Sequence, residues 1–269
     1  MSHIRLIISD IDGTILNDLH QIDSDLLTLI PDLKREEIPF VLASARSPKG
    51  MAPIAKELGI EDCPMACYNG ALIQKDEQVL FEHPLDKTEA RHFIDWANQH
   101  FPQVSINLYS GKDWMTDHLD QWSQEEARIT GERPLILPLL DPLLDTTKPL
   151  HKLLLIGEAE EIQALYRAIS TDDFPSTAFY LSKANYLEVT AKHVSKEDAL
   201  VELANHYHLS LEEVLTMGDN FNDLPMLKKA GIGVAMGNAP QEVKDGAAIV
   251  TKTNNENGAG QAVETYVLI

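Results

Sequence analysis

The chain has 269 residues, with 22 Lys and Arg against 42 Asp and Glu, so its formal net charge at pH 7 is −20. Hydrophobic residues at 44% are enough for a folded core, and the excess of carboxylates without a Lys/Arg cluster argues against nucleic acid or a membrane as a partner. Without a candidate membrane span or signal peptide, we expect a cytoplasmic protein, either a monomer or a small homo-oligomer.

Short apolar runs and helical patterns alternate along the first 83 residues. The predicted elements are a strand at 4–9, a helix at 26–37, a strand at 40–44, a helix at 49–58 and extended segments at 64–73 and 79–83. Asn69-Gly70 is a turn signal inside the fifth of these segments. This alternation favours a parallel α/β sheet.

A second unit is predicted to begin near Pro84, because helical and strand-like patterns follow there in a different order. The predicted elements are helices at 87–100 and 120–130 and strands at 104–109, 152–156, 178–181 and 187–190, with a proline-punctuated loop at 134–149. From Ser195 the first rhythm returns. It predicts a helix at 195–207, a strand at 214–218, a helix at 224–230, and strands at 232–237 and 247–251.

This order predicts a split core with an insertion of roughly 100 residues, a length within the range of a small domain. We therefore divide the chain into residues 1–83 and 191–269, which form the core, and residues 84–190, which form the inserted domain.

The strongest local motif is Asp10-Ile11-Asp12-Gly13-Thr14, directly after the first predicted strand. Ligands of open α/β sheets bind at the carboxyl edge of the strands, and paired carboxylates there can hold a hard cation such as Mg²⁺. The alternative is an acidic turn that caps the element. A second acidic loop, Gly218–Asp223, also follows an apolar strand, although by itself the sequence Gly-Asp-Asn is also an ordinary turn.

Two junctions between other elements carry candidate phosphate-binding groups. Ser44-Ala45-Arg46 follows the second strand, where a hydroxyl and backbone N–H groups can bind a phosphate, while Arg46 either adds charge or faces solvent. Ser195 is predicted to cap the helix that follows. Lys196 is unusual at the positive end of a helix, so it either neutralises a phosphoryl oxygen or is a solvated lysine.

Taken together, the motifs D-I-D-G-T, L-A-S-A-R, S-K and G-D-N-F-N-D resemble the haloacid dehalogenase (HAD) superfamily of phosphatases, and specifically its Cof-type branch. The resemblance spans most of the chain and includes the segments 68–71, 186–189, 233–239 and 254–258. It implies a Rossmann-like parallel-sheet core with an inserted α/β cap of type IIB, and Mg²⁺-dependent hydrolysis of phosphate monoesters. The expected partner is a small phosphorylated metabolite such as a sugar phosphate.

The resemblance also implies roles for individual residues. Asp10 matches the nucleophile and Asp12 the general acid/base, whose backbone carbonyl also binds the metal. The other matches are Ser44, Ala45 and Arg46 at the phosphate, Lys196 as the phosphate-binding cation, Asn222 in the fourth motif, and Asp219 and Asp223 as metal ligands beside Asp10 and Asp12.

Three positions depart from the usual family pattern. Ala45 and Glu197 stand where relatives commonly have Gly, and Ala259 replaces a more usual Val. The methyl of Ala45 and the charge of Glu197 lie next to groups expected to bind phosphate, so either could tune substrate preference or slow turnover.

Two other functions remain open at this point. A phosphomutase would return the phosphoryl group from Asp10 to a sugar instead of to water, and a catalytically quiet relative would only bind a metabolite. A nucleotide-binding module of the Rossmann or P-loop type is disfavoured, because no glycine-rich phosphate-binding motif follows the first strand.

Overall fold

The computed structural model describes residues 4–268. Its strands are β1 (Leu6–Ser9), β2 (Phe40–Ala43), β3 (Met65–Cys67), β4 (Leu72–Lys75), β5 (Gln78–Glu82), β6 (Ser105–Ser110), β7 (Asp113–Thr116), β8 (Leu135–Ile136), β9 (Lys152–Ile156), β10 (Thr177–Lys183), β11 (Tyr186–Ala191), β12 (Val214–Gly218), β13 (Ile232–Ala235) and β14 (Ile249–Val250). Its α-helices are α1 (Ser24–Arg35), α2 (Pro48–Leu58), α3 (Lys87–His100), α4 (Gln121–Thr130), α5 (Leu140–Leu144), α6 (Ala159–Ala168), α7 (Lys196–His206), α8 (Leu224–Lys229), α9 (Gln241–Gly246) and α10 (Gly258–Tyr266).

The chain divides into two compact units. The first, which we call the core unit, runs up to Arg46 and includes Met51–Phe81 and the chain from Ser195 onward. The second, which we call the inserted unit, comprises Glu82–Val194 with the short segment Ser47–Gly50. No helix among residues 4–268 is long and apolar enough to cross a membrane.

The core unit is built on an eight-stranded sheet with the order β14-β13-β12-β1-β2-β3-β4-β5. The strands from β14 to β3 are parallel, and β4 turns back antiparallel to β3. All four residues of β1 are buried, as expected for a parallel strand that is covered on both faces. Leu6 and Ile8 pack in one apolar cluster with Leu200 and Leu203 of α7.

This topology decides where the loop residues lie. Because β1, β12 and β13 are neighbours and run in the same direction, their carboxyl ends meet at one edge of the sheet. The three loops that leave this edge begin at Asp10, Asp219 and Met236. Residues more than 200 positions apart in sequence are therefore brought to the same place.

The inserted unit has a six-stranded sheet with the order β10-β11-β9-β6-β7-β8. Its strands pair antiparallel, except for β7 and β8, which are parallel. One face carries apolar residues such as Leu108 and Leu153, which pack against Phe93 of α3 and Leu165 of α6. This face is the hydrophobic core of the unit.

The predicted α/β fold is confirmed, and the predicted elements outside segment 64–73 begin and end within about two residues of those observed. The prediction of a loop at 134–149 was wrong, since it contains β8 and α5. Its prolines suggested a loop, but Pro142 is the third residue of α5 and lies in the first turn, where no intrahelical donor is lost. β7, α6, α9 and α10 were not predicted.

Candidate active site

Asp10 lies directly after β1 and is buried. Its backbone N–H donates to the carbonyl of Met217 in β12 at 3.0 Å, so the neighbouring strand fixes its position. The Thr14 hydroxyl donates to Asp10 Oδ2 at 3.2 Å, and Lys196 Nζ donates to Oδ1. The carboxylate is thus oriented by a hydroxyl on one side and a cation on the other.

Lys196 is the first residue of α7, after Ser195, whose side chain accepts the N–H of Asp198 and so caps the helix as predicted. The lysine is only 1% exposed, and its Nζ also donates to Asp223 Oδ1 at 2.5 Å. Burial alone would lower the pKa of Lys196, but the charges of Asp10 and Asp223 outweigh it and hold the pKa above its ordinary value. Lys196 is therefore a permanent buried cation rather than a solvated lysine.

The acidic loop after β12 is closed by one of its own side chains. Asp223 Oδ2 accepts the backbone N–H groups of Asp219 and Asn220, each at 3.0 Å. Gly13 approaches this loop so closely that a Cβ in its place would lie 2.8 Å from Asp219 Cγ, and its φ of +80° is in the region that favours glycine. Both observations explain why glycine follows the second aspartate of the first motif.

The carboxylates of Asp10, Asp219 and Asp223 converge, with one oxygen of each within 4.8 Å of the others. Burial raises the pKa of Asp10 to about 8 against the attraction of Lys196, and the charge of Asp223 adds to the rise. Burial also raises the pKa of Asp219 to about 7, again with a contribution from Asp223. The three carboxylates therefore share one lysine as their cation, and burial disfavours the ionised forms of Asp10 and Asp219.

This donor set fits Mg²⁺. Three carboxylates in an oxygen-only cluster are the ligands that a hard divalent cation prefers, and a cation there would favour the ionised forms of Asp10 and Asp219, which burial disfavours. Three of the four predicted metal ligands, Asp10, Asp219 and Asp223, thus lie together by their side chains. The side chain of the fourth, Asp12, does not belong to this cluster.

Asp12 instead forms a two-point ion pair with Arg46. The guanidinium donates from Nε to Oδ2 at 2.7 Å and from Nη2 to Oδ1 at 2.6 Å, and both side chains are partly exposed. Arg46 therefore does not simply face solvent. It occupies both oxygens of the residue expected to act as general acid/base.

The remaining predicted phosphate ligands lie beside this pair. Ser44 is buried after β2, and its hydroxyl oxygen accepts the N–H of Arg46 at 3.3 Å, while Ala45 between them is partly exposed. Asn222 is exposed, and its amide donates to Asn69 Oδ1 at 3.5 Å rather than to a carboxylate of the cluster. Asn69 also donates its backbone N–H to the Ser44 carbonyl at 2.8 Å, so the two motifs share this residue.

Three polar residues in this region had no role assigned from the sequence. They are Thr14, which bonds to Asp10, Asn69, and Asn238, whose amide donates to both the Gly13 carbonyl and Asp219. A polar residue just past the end of a parallel strand is a usable signal, and Asn238 stands in that position after β13. Its partners could not be read from the sequence, since they come from loops of two other strands.

Comparison with known proteins agrees with this geometry. Residues 7–263 match the family model described as haloacid dehalogenase-like hydrolase. A Haemophilus influenzae relative, provisionally named a phosphatase, is 33% identical over 97% of each chain. The crystal structure of a haloacid dehalogenase-like hydrolase from Bacteroides thetaiotaomicron is 30% identical, covers 97% of this chain and 98% of its own, and has a TM-score of 0.88.

A third comparison concerns the subclass. A HAD subclass IIB sugar phosphatase shares the fold with a TM-score of 0.80 over 98% of this chain and 100% of its own, at 21% identity. The chain belongs to the haloacid dehalogenase-like hydrolases, and the family resemblance drawn from its motifs is confirmed. The prediction that it is a phosphatase, with a parallel-sheet core of this family, is confirmed with it.

Proposed function

We propose that this phosphatase hydrolyses phosphate monoesters of small metabolites, among them sugar phosphates, through an aspartyl-phosphate intermediate on Asp10 and with Mg²⁺ as its cofactor. The observation that carries the proposal is the buried cluster of Asp10, Lys196, Asp219 and Asp223 at the carboxyl edge of the core sheet. It combines a candidate nucleophile, a fixed cation and an oxygen donor set.

In the first step, an oxygen of Asp10 forms a bond to phosphorus while the bond from phosphorus to the leaving alcohol oxygen breaks. Asp12 gives a proton to that oxygen, so the alcohol leaves neutral. In the second step, Asp12 takes a proton from a water molecule, whose oxygen bonds to phosphorus and releases the Asp10 carboxylate and inorganic phosphate.

Positioning and charge neutralisation supply most of the acceleration in phosphoryl transfer. Lys196 and the Thr14 hydroxyl orient Asp10, and Lys196 also brings positive charge to the phosphoryl oxygens. When bound by Asp10, Asp219, Asp223 and the backbone carbonyl of Asp12, Mg²⁺ would neutralise developing negative charge on the phosphoryl group. Ser44, Ala45, Arg46 and Asn222 complete the proposed phosphate-binding surroundings.

The ion pair between Arg46 and Asp12 adds one requirement. Asp12 cannot donate a proton to a leaving group while both of its oxygens accept hydrogen bonds from the guanidinium. A phosphate monoester is a stronger bidentate partner for arginine than a partly exposed carboxylate. Substrate phosphate would therefore draw Arg46 away and release Asp12 for proton transfer.

For the inserted unit we propose the role of a cap that contacts the leaving group and excludes water during transfer. Its sequence, taken as residues 84–190, contains none of the motif residues of the chemistry. Substrate choice would then depend on this unit, while the chemical steps depend on the core unit.

The test is phosphate release from a panel of sugar phosphates, pyridoxal phosphate, flavin mononucleotide and p-nitrophenyl phosphate, measured with Mg²⁺ and with EDTA. We expect release only with Mg²⁺, and none from the variant Asp10→Asn. Release that persists in EDTA or in Asp10→Asn would contradict the proposal. An isomerised sugar phosphate without free phosphate would identify a phosphomutase instead.

A further inference from the structure

Asn238 follows β13 and joins three separate segments of the core unit. Its side-chain Nδ2 donates to the carbonyl of Gly13 at 2.8 Å and to Asp219 Oδ2 at 3.3 Å, and its Oδ1 accepts the backbone N–H of Asn254 at 3.0 Å. An amide nitrogen has two hydrogens to donate, and a carbonyl or carboxylate can only accept. These partners therefore fix which end of the amide faces the acidic loop.

The backbone just before Asn238 is held by two hydrogen bonds to other segments of the core unit. Met236 donates its N–H to the Gly218 carbonyl at 3.0 Å, and Gly237 donates to the Lys252 carbonyl at 2.9 Å. Asn254, whose backbone N–H donates to the Asn238 amide oxygen, is itself buried and donates from Nδ2 to the Leu16 carbonyl at 3.0 Å. The amide thus stands on a rigid support.

The side chain of Asn238 contacts only one of the three carboxylates of the cluster. Asp10 and Asp223 are each held by Lys196, whereas Asp219 receives its side-chain donor from Asn238. The same amide fixes the Gly13 carbonyl in the turn that follows Asp12. Asn238 therefore sets the orientation of one predicted metal ligand and the path of the backbone next to another.

The surroundings of Asn238 separate this role from a packing role. Its side chain is exposed, so it fills no space in the apolar core, and its removal creates no buried cavity. Groups that donate to metal-ligating carboxylates fix the geometry of those ligands, and their loss typically weakens metal affinity about 10–100-fold.

We propose that Asn238 is a positioning residue of the metal centre, which preorganises Asp219 and the Gly13 turn for a divalent cation. The inference rests on the proposed function, because it takes the carboxylate cluster to be the Mg²⁺ site. It assigns to the segment Gly237-Asn238-Ala239 a role in cation binding rather than in contact with the substrate.

The experiment measures binding of Mg²⁺ alone to the full-length protein by calorimetry, without substrate, for wild type, Asn238→Ala and Asn255→Ala. Asn255 is the matched control, since it is also an exposed asparagine and its two side-chain hydrogen bonds both go to Asp18, outside the carboxylate cluster. We expect the Mg²⁺ dissociation constant to rise about 10–100-fold in Asn238→Ala and to change less than twofold in Asn255→Ala. The KM for p-nitrophenyl phosphate at saturating Mg²⁺ is expected to stay within threefold of wild type.

A dissociation constant for Mg²⁺ in Asn238→Ala within twofold of wild type would overturn the inference, as would an equal loss in both variants. Thermal melting in EDTA checks the fold. If Asn238→Ala does not melt cooperatively, Asn238→Ser takes its place, because its hydroxyl can still accept the N–H of Asn254. A wild-type protein that binds no Mg²⁺ would instead refute the proposed function, so the two failures are distinguishable.

Discussion

The core unit and the inserted unit both bury charged side chains, but they balance the charge differently. In the inserted unit, Lys152 and Glu188 form a one-to-one pair at 3.4 Å with both side chains less than 9% exposed, and the lysine also lies over the Tyr109 ring. In the core unit, the single cation Lys196 faces Asp10 and Asp223, with the carboxylate of Asp219 beside them. The Lys152–Glu188 pair matches one cation with one carboxylate, whereas the core site sets three carboxylates around one cation.

The difference shows that burial of charge does not by itself indicate a functional site. The buried pair of the inserted unit lies within its sheet, where the charge of Lys152 neutralises that of Glu188. The carboxylates of the core unit lie in loops at the end of parallel strands, where burial, with a contribution from Asp223, raises the pKa values of Asp10 and Asp219. A cluster of this kind is suited to a divalent cation.

The largest effect is expected from Asp10→Asn, which removes the proposed nucleophile and leaves the size of the side chain nearly unchanged. We expect turnover to fall by at least about four orders of magnitude, on the scale of nucleophile removal in other covalent enzymes. Steady-state phosphate release measures it, and circular dichroism should show an unchanged fold. Asp18→Asn, an exposed aspartate outside the cluster, serves as the control and should retain full turnover.

The second prediction concerns the buried ion pair of Lys152 and Glu188 in the inserted unit. Lys152→Ala leaves Glu188 buried without its cation, so we expect it to lower the free energy of unfolding of the inserted unit by about 3–5 kcal/mol. All three tryptophans, at positions 96, 114 and 122, lie in this unit, so their fluorescence during urea unfolding reports on it selectively.

The double variant Lys152→Met/Glu188→Leu is the matched control, because it removes both charges together. We expect it to recover most of the lost stability. Mg²⁺ binding to either variant should be unchanged. A double variant as unstable as Lys152→Ala would show that the pair is not the cause.

The third prediction concerns Arg46, which pairs with Asp12 and is proposed to transfer to the substrate phosphate. We expect Arg46→Met to lower kcat/KM about 10–100-fold for a sugar phosphate and for p-nitrophenyl phosphate alike, because both substrates lose charge-assisted hydrogen bonds to their phosphate. Arg35→Met, which removes an exposed arginine paired with Asp32, is the control. A loss confined to the sugar phosphate, whose leaving group needs a proton, would mean that Arg46 acts through Asp12 and not on the phosphate.

The smallest expected effect is a pH dependence of stability without metal. The pKa of Asp219 is about 7 in the folded protein and near 4 in an unfolded chain, so the folded state binds the proton more tightly. The protonated Asp219 carboxyl therefore contributes fully to the stability of the folded state below pH 4, and this contribution is lost as the pH rises through about 7. In EDTA, Asp219→Asn should therefore melt at least about 2 °C above wild type at pH 8, the shift expected for about 1 kcal/mol, and the gain should be smaller at pH 5.

Thermal melts at the two pH values, with EDTA and with Mg²⁺, measure this difference. Added Mg²⁺ should stabilise wild type more than Asp219→Asn, because a proposed ligand of the cation is lost in the variant. A variant that melts below wild type in EDTA at pH 8 would show that Asp219 is already compensated by the protein itself.

Much of the fold could be predicted from local patterns, and the exceptions have local causes. The apolar run before Asp10 predicts β1, and Ser195 predicts the start of α7. α10 was missed because its first turn contains Gly258 and Gly260, which carry no helical signal. α5 was missed because its proline was taken as a loop marker, without regard to the first-turn position in which proline is tolerated.

The candidate site also has a part that local sequence predicts and a part that it does not. Asp10 and Lys196 are recognisable because each charge stands directly beside an apolar strand or at the positive end of a helix, where a charge without a partner is unfavourable. That Arg46 binds Asp12, and that Asn238 binds Asp219, depends on strand order and loop paths, which local sequence does not contain. The carboxylates and the lysine that lie together in the structure were therefore recognisable from the sequence, and the contacts made by Arg46 and Asn238 were not.

The position of β1 between β2 and β12 also has a consequence for synthesis of the chain. One edge of β1 can pair with Phe40–Ala43 early, but its other partner, Val214–Gly218, is translated only after the whole inserted unit. Until then the nascent chain carries an open, apolar strand edge, a surface that invites pairing with other chains. The inserted unit, with its own hydrophobic core, lengthens that interval on the ribosome.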